Sequence, residues 1–225
     1  MRNRILLFSV AASVIAAGAL TSVGLTAARA ASFPDPPKAS APAESTASVV
    51  LAGGCFWGMQ GIFEHMKGVT NTVVGYAGGK KETAHYEMVS EHNTGHAESI
   101  KVTFNPSKIT YGELLKVYFS AAHDPTTLNR QHYDVGPQYR SAIFYSGEEQ
   151  KKLAEAYIGD LNKAHVFKDP IVTQVVPLTG FYSAEEEHQH FLDHNPTQGY
   201  IAGVDIPLLN GFKEKYPEYY TKEIK

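Results

Sequence analysis

Ser48-Val49-Val50-Leu51-Ala52-Gly53-Gly54-Cys55-Phe56-Trp57-Gly58 decides how the chain is built. Its first half reads as a short buried strand, the two glycines as a turn. From Cys55 the apolar positions change to helical spacing, and Phe56, Met59, Ile62, Phe63 and Met66 fall on one helical face. Cys55 is the one cysteine among 225 residues. It stands at the helix N-terminus, where unpaired backbone N–H groups and the macrodipole favour a thiolate. A glycine turn exposes such a position, whereas free thiols in general are commonly inert and buried. Two large rings directly after the thiol suit a small and partly apolar reactant.

Working outward, Val69 to Tyr76 is a second strand that ends at Ala77-Gly78-Gly79. Lys80 to His96 is a polar loop carrying Tyr86, and Ala97 to Asn105 is a third strand, stopped by Pro106. Tyr111 to Ala122 has helical apolar spacing and stops at His123-Asp124-Pro125. Thr126 to Gln138 is a second polar loop, followed by a strand over Tyr139 to Tyr145, a charged amphipathic helix over Glu148 to Ala164 and a strand over Ile171 to Val176. Two successive strand-helix-strand passages indicate an α+β chain. The expected architecture is a two-layer α/β sandwich with a ferredoxin-like core, long loops and an irregular C-terminal tail.

The two ends read differently. Arg2 and Arg4, the apolar run Ile5 to Leu20, and Ala28-Arg29-Ala30 have the layout of a secretory signal peptide over residues 1–30. An uncleaved membrane anchor is the alternative, although alanine, serine, glycine and threonine dilute the run. No cysteine follows it for lipid attachment, so a periplasmic or secreted location is expected. Residues 31–46, with Pro34, Pro36, Pro37 and Pro42 among alanines and serines, read as a tether. Residues 47–225 suit one catalytic domain, expected to act as a monomer. A net charge of −3 without a basic block argues against a nucleic-acid partner. A single cysteine forms no internal disulfide, so in an oxidising compartment the thiol stays free for chemistry.

The strand at Ala97 carries the next signal. Its period of two places Glu98 with Ile100, Val102 and Phe104, away from Ala97, Ser99, Lys101 and Thr103. A carboxylate on an apolar face is costly, so it takes up a proton and its pKa rises. A carboxylic acid held neutral near pH 7 is a general acid. The alternative places Glu98 at a frayed strand end, in water or paired with a cation. Tyr86 and Tyr139 stand out from the 13 tyrosines only by lying in or beside the polar loops. Asp134 precedes Val135-Gly136-Pro137, where its default role is bonding turn amides. Phe56 and Trp57 are pocket wall or core. His188, His190 and His194 invite a metal reading, with the last two on one helical face. A run so rich in glutamate and histidine is more often a solvated helix surface, and no metal is expected.

Taken together these residues resemble the type A peptide methionine sulfoxide reductases. The likeness lies in Gly54-Cys55-Phe56-Trp57-Gly58, Gly75-Tyr76-Ala77-Gly78-Gly79, Tyr86, and Thr94-Gly95-His96-Ala97-Glu98. It continues in His123-Asp124-Pro125, Asp134-Val135-Gly136-Pro137-Gln138-Tyr139-Arg140-Ser141, His188-Gln189 and Asn195-Pro196. The resemblance implies reduction of methionine (S)-sulfoxide, free or in proteins, as a repair of oxidative damage. It implies that Cys55 attacks the sulfoxide sulfur and Glu98 supplies the proton. Tyr86 and Tyr139 would bond the sulfoxide oxygen, in the manner of an oxyanion hole. Phe56 and Trp57 would hold the S-methyl group, and Asp134 would position groups around Cys55. The chemistry is coherent: a sulfoxide shows one polar oxygen and one methyl, and its oxygen leaves poorly unless protonated. Attack leaves methionine and a cysteine sulfenic acid.

One departure matters. Where many relatives have Gly-Tyr-Cys, this chain has Gly199-Tyr200-Ile201. Without a second cysteine an outside thiol must resolve the sulfenic acid, so the expected partner is a thioredoxin-like protein or a small thiol, with no bound cofactor. Two rival readings remain. A cysteine hydrolase would pair Cys55 with a histidine such as His123 and form an acyl-enzyme. A binding domain would use Phe56, Trp57 and nearby tyrosines for peptide contact, and would survive Cys55→Ser.

Overall fold

Val49, Val50, Leu51 and Ala52 are all buried because β1 (Ala47–Ala52) runs through the interior of a six-stranded sheet and is covered on both faces. The structure is a computed structural model that describes residues 33–37 and 45–224. The other strands of the sheet are β2 (Val69–Ala77), β3 (Ala97–Phe104), β6 (Ala142–Tyr145), β7 (Gln174–Pro177) and β8 (Phe181–Ser183). Their order is β7-β6-β1-β3-β2-β8, and only the β6–β7 pair is parallel. A separate two-stranded hairpin pairs β4 (Arg130–Gln131) with β5 (Asp134–Val135).

Alternation along the strands sorts the core into two faces. Val49, Leu51, Ile100, Val102 and Ile143 pack under α1 (Phe56–Glu64), α3 (Tyr111–Val117), α4 (Glu148–Lys163) and α6 (Ile206–Lys215). Val50, Ala52, Ala97, Ala142 and Phe144 face the other way, where Val176, Leu178 and Phe181 cover them. Each large apolar side chain fully buried here contributes roughly 1.5–3 kcal/mol. Thr110 and Glu113 begin α3 with a reciprocal capping box. Its last turn widens into a π-helical turn, Tyr118–Ala122, before the chain extends at His123.

The mixed α/β layering agrees with the sequence expectation, but a four-stranded ferredoxin-like core does not describe the whole sheet. β7 and β8 add an edge on each side, and β7 adds a parallel pair. The loop 80–96 contains a short helix, α2 (Tyr86–Ser90). Tyr139 belongs to a 3₁₀ turn, Pro137–Tyr139, rather than to β6. The C-terminal tail is more regular than expected: it supplies β8, α5 (Phe191–His194), a π-helical turn Ile201–Asp205 and α6. Periodicity misses these pieces because each is short or exposes most of its residues.

The expected signal peptide and its membrane-anchor alternative lie outside the described residues. Part of the expected tether is described, and it is not free. The Phe33 ring stands edge-on to Phe167 at 5.7 Å with the Lys215 ammonium 4.5 Å above it. Asp35 pairs with Lys116 at 2.9 Å, and the Tyr157 hydroxyl donates to the Pro34 carbonyl at 3.1 Å. Pro36 lies so near Gly112 that a Cβ there would come within 2.9 Å of it. The phenol of the wholly buried Tyr157 needs a partner, and this segment supplies it.

Candidate active site

Gly54 takes φ +101°, and a Cβ on it would lie 2.6 Å from the Gln131 side chain. Glycine is therefore required for the chain to leave β1 and present Cys55 at the head of α1. Cys55 is half-buried and forms no disulfide. The Trp57 N–H points at its sulfur, and the Phe56 N–H donates to Glu98 Oε2 at 3.1 Å. The register Tyr76↔Glu98 carries β3 past the end of β1 and beneath that first helical turn. Thiol and carboxyl are thus joined through consecutive backbone groups at one helix end.

Electrostatics at the thiol run against the thiolate expectation. Burial pushes the Cys55 pKa well up, and the carboxyls of Glu98, Asp205 and Asp134 push it further. The Trp57 N–H opposes this. Glu98 has already claimed the neighbouring helix donor, so in the resting site the sulfur keeps its proton. Glu98 itself is 3 % exposed. Burial raises its pKa to about 8 against the pull of the Phe56 N–H, with Asp134 and Asp205 adding to the rise. The frayed-end alternative for Glu98 does not hold.

Tyr86 opens α2, with its N–H donating to Glu185 Oε1 at 3.0 Å. Its phenol pKa is raised by burial, then by the charges of Glu98 and Cys55. The Tyr139 phenol is raised by burial, then by Glu98, Asp134 and Cys55. Both phenols are therefore neutral donors within electrostatic reach of the thiol and the acid. Asp134 lies on the hairpin and accepts a hydrogen bond from the Tyr200 hydroxyl; burial raises its pKa and this bond lowers it. Its bond to a tail phenol replaces the turn-amide role expected from its local sequence.

The aromatic wall is fixed on several sides. Phe56 is 1 % exposed and packs against Trp57, Tyr76 and His188, with centroids 5.5–6.4 Å apart. Trp57 stacks on Phe191 at 3.9 Å and 13°. Its Nε1–H points at His188 Nδ1 from 3.3 Å, and Tyr200 meets its face edge-on at 6.4 Å. Cys55, Trp57, Tyr86 and Tyr182 border the buried cluster around Phe56 and Tyr76. All seven residues singled out from sequence thus share one electrostatic and aromatic neighbourhood. It offers a neutral acid, two phenols and a thiol around apolar rings, which suits a ligand with one polar oxygen and a small apolar group.

The histidines separate. His188 is part of the aromatic wall, touching Trp57, Phe56 and Tyr86, the last at 4.2 Å. His190 adopts φ 53° and bonds Glu64 Oε2 at 2.7 Å, so it does not share a regular helical face with His194. No group of three His, Cys, Asp or Glu arranged to hold a metal occurs among the described residues. His123 has both ring nitrogens engaged, with the Tyr118 carbonyl at 2.9 Å and the Ser141 hydroxyl at 2.7 Å. Its pKa falls to about 4, mainly through burial. His123 therefore does not serve as the base that the hydrolase reading named.

Four further contributors escape sequence reasoning. His188 looks like part of a surface run, Tyr200 is one tyrosine among many, Gln131 is anonymous in a loop, and Asp205 sits among apolar tail residues. His188-Gln189 and Gly199-Tyr200 carried a signal through their likeness to the family pattern, although neither gave the role seen here; Gln131 and Asp205 carried none.

The sequence profile of the family described as peptide methionine sulfoxide reductase matches residues 47–220. Peptide methionine sulfoxide reductase MsrA 2 of Mesorhizobium japonicum is 50 % identical over 82 % of this chain and 93 % of its own. Its namesake from Synechocystis is 46 % identical over 80 % and 84 % respectively. Among solved structures, reduced Mxr1 from Saccharomyces cerevisiae superposes with a TM-score of 0.64 at 34 % identity, covering 72 % of this chain and 91 % of that one. Methionine sulfoxide reductase A of Corynebacterium diphtheriae gives a TM-score of 0.59 at 33 % identity, covering 72 % and 85 %. With an acid, a thiol and an aromatic wall meeting at one helix end, and with relatives this similar over nearly the whole domain, the chain belongs to the peptide methionine sulfoxide reductase family.

Proposed function

We propose that this reductase works as a one-cysteine enzyme in which Glu98 is the acid and Cys55 the nucleophile, with an outside thiol closing the cycle. The observation that carries the reading is the buried Glu98 carboxyl bonded to the Phe56 N–H, one residue from the thiol. The sulfoxide oxygen lies toward Tyr86, Tyr139 and Glu98, and the S-methyl group against Phe56 and Trp57. Asp134 and Tyr200 hold the tail over the thiol. Glu98 gives its proton to the oxygen while the Cys55 sulfur attacks the substrate sulfur, the thiol proton restores the acid, and the hydroxyl then passes from the substrate sulfur to the Cys55 sulfur as the bond between the two sulfurs breaks. The net change is Cys–SH plus sulfoxide to Cys–SOH plus thioether: the cysteine sulfur gives up two electrons and the methionine sulfur gains them.

Recycling follows from the lone cysteine. A donor thiol displaces water from the sulfenic acid to form a mixed disulfide, and a second thiol releases Cys55 as the donor disulfide. A thioredoxin-like protein or a small thiol fits this role, and no bound cofactor is required. Likeness to the type A reductases implies the S epimer at sulfur, whether free or in a polypeptide, with the polar side taking the oxygen and the aromatic side the methyl group. The sequence of residues 1–30 supports work in the periplasm or outside the cell, where the enzyme repairs oxidised proteins.

Separate assays of the two epimers of a blocked methionine sulfoxide test the reading. The S epimer is reduced with a monothiol or dithiol, the R epimer is not, and Cys55→Ser removes the activity. Equal rates for both epimers would refute the proposed oxygen-and-methyl placement.

A further inference from the structure

Arg140 directly follows Tyr139, and the chemistry at Cys55 makes no use of its charge. Its guanidinium is spent on backbone carbonyls from two separate loops. Nη1 donates to the Pro137 carbonyl at 2.8 Å and to the His96 carbonyl at 3.1 Å. Nη2 donates to the Gly95 carbonyl at 3.0 Å. The Nε–H donates to Gln174 Oε1 on β7 at 3.2 Å, which fixes the plane of the fork. Glycine makes room for it: Gly78 takes φ +95°, and a Cβ there would lie 2.7 Å from Nη2. A planar fork can meet three carbonyls at once, whereas an ammonium is a point charge without that geometry.

The carbonyls it gathers stand close in sequence to two groups on the polar side of the site. His96 is two residues before Glu98, and Pro137 is two residues before Tyr139. The Glu98 side is firm without help, because Ala97 and Glu98 already pair with Ala77 and Tyr76 in the sheet. The Tyr139 side is a single 3₁₀ turn, closed by the Tyr139 N–H on the Gly136 carbonyl at 3.0 Å. Gln138 ties that turn to His92 at 2.8 Å, in the loop beyond. Among the described residues, the hydrogen bonds from the turn to the entry of β3 all come from Arg140. One guanidinium thus decides where a one-turn element stands against a sheet strand.

We infer that Arg140 is a positioning residue: it fixes the Tyr139 turn against the entry of β3 and so holds the Tyr139 phenol in register with the Glu98 carboxyl. The inference rests on Tyr139 bonding the sulfoxide oxygen. Arg140 acts through Tyr139 and touches no substrate. Its loss leaves the acid and the aromatic wall in place, since Glu98 is held by β2 and the Phe56 N–H, and Trp57 by His188 and Phe191.

Single-turnover reduction of a methionine (S)-sulfoxide peptide by the whole protein tests this as a double-mutant cycle. Arg140→Lys keeps the charge and loses the fork. Its limiting rate should fall by about 10–10²-fold, as misplacing a reacting group by about an ångström does, with the half-saturating peptide concentration within about twofold of wild type. In a Tyr139→Phe background the same change should cost less than about twofold, because no phenol remains to be placed. A merely structural role lowers the rate by one factor in both backgrounds. That result overturns the inference, as does an unchanged rate in Arg140→Lys or a loss confined to substrate affinity. If Arg140→Lys does not fold, Gln174→Leu, at an exposed position on an edge strand, loosens the fork instead. A loss of rate that vanishes with Tyr139→Phe then supports the inference; no loss, or an equal loss in both backgrounds, overturns it. Failure of the premise reads differently. Tyr139→Phe alone then works at the wild-type rate, whereas a slowed Tyr139→Phe with equal losses from Arg140→Lys in both backgrounds defeats only the role of Arg140.

Discussion

At the scale of single residues, Glu98 shows what a sequence can disclose and what it cannot. Period-two alternation in β3 places it on the apolar face, and the structure finds it buried and raised to about 8. The sign of the pH effect follows. The acid works while protonated, so the rate is steady below about pH 8 and falls roughly tenfold per unit above it. Glu98→Gln should slow single-turnover reduction by about 10²–10⁴-fold and erase that alkaline limb; stopped-flow quench across pH 6–10 reads both. The thiol is a different lesson. Helix position alone argues for a thiolate, but the sequence could not show that Glu98 takes the first helix donor and that three carboxyls surround the sulfur. Asp134 was legible as part of a motif, yet its partner Tyr200 lies 66 residues away, a distance no periodicity spans.

At the scale of elements, α1 carries the site at one end and a second buried acid at the other. Glu64 is fully buried and bonds His190. Burial, then Asp193, raises its pKa to about 9. Neither its Oε1 nor the Asp193 Oδ2 has another partner among the described residues, and a protonated Glu64 donates a hydrogen bond to the Asp193 side chain. Because the folded pKa is raised, the stability from this protonated group is fully present below the ordinary carboxyl value and is lost as pH rises through about 9. Glu64→Gln should therefore flatten the fall in Tm between pH 5 and 9, with a gain near pH 9 of at least about 2–4 °C, equivalent to 1 kcal/mol in a domain of this size. Differential scanning calorimetry measures it. The short α5 matters for another reason, since Phe191 stacks on Trp57. Removing a stacked aromatic partner costs about 0.5–1.5 kcal/mol, so Phe191→Ala should raise KM about threefold to tenfold with kcat nearly kept, as steady-state kinetics would show. Neither α2 nor α5 was legible: a helix of one turn gives too few apolar repeats to register.

At the scale of the whole molecule, β1, β2, β3, α1 and α4 were readable because each carries an apolar period long enough to fix its face. Of the outer strands, β7 was legible as a strand over Ile171 to Val176 and lies at Gln174–Pro177, whereas β8 was not, since it is a short, half-exposed edge held by its pairing with β2. The proline-rich stretch misled for a related reason. Composition marks it as a tether, yet Phe33, Pro34 and Asp35 find partners on α3, α4 and α6 that only tertiary structure supplies. Phe33→Ala should lower Tm by about 2–8 °C, from roughly 1–2 kcal/mol of lost packing on a partly exposed ring, without changing kcat; thermal melts and initial rates check both halves. The site itself depends on three distant regions, the β1–α1 turn, the hairpin and the tail, converging on one sulfur. Mass spectrometry of Cys55 after one turnover without any reductant tests that convergence most directly. One oxygen added at Cys55, with an equal amount of methionine released, is the predicted result. Methionine released while Cys55 stays unmodified, or no methionine at all, would contradict it.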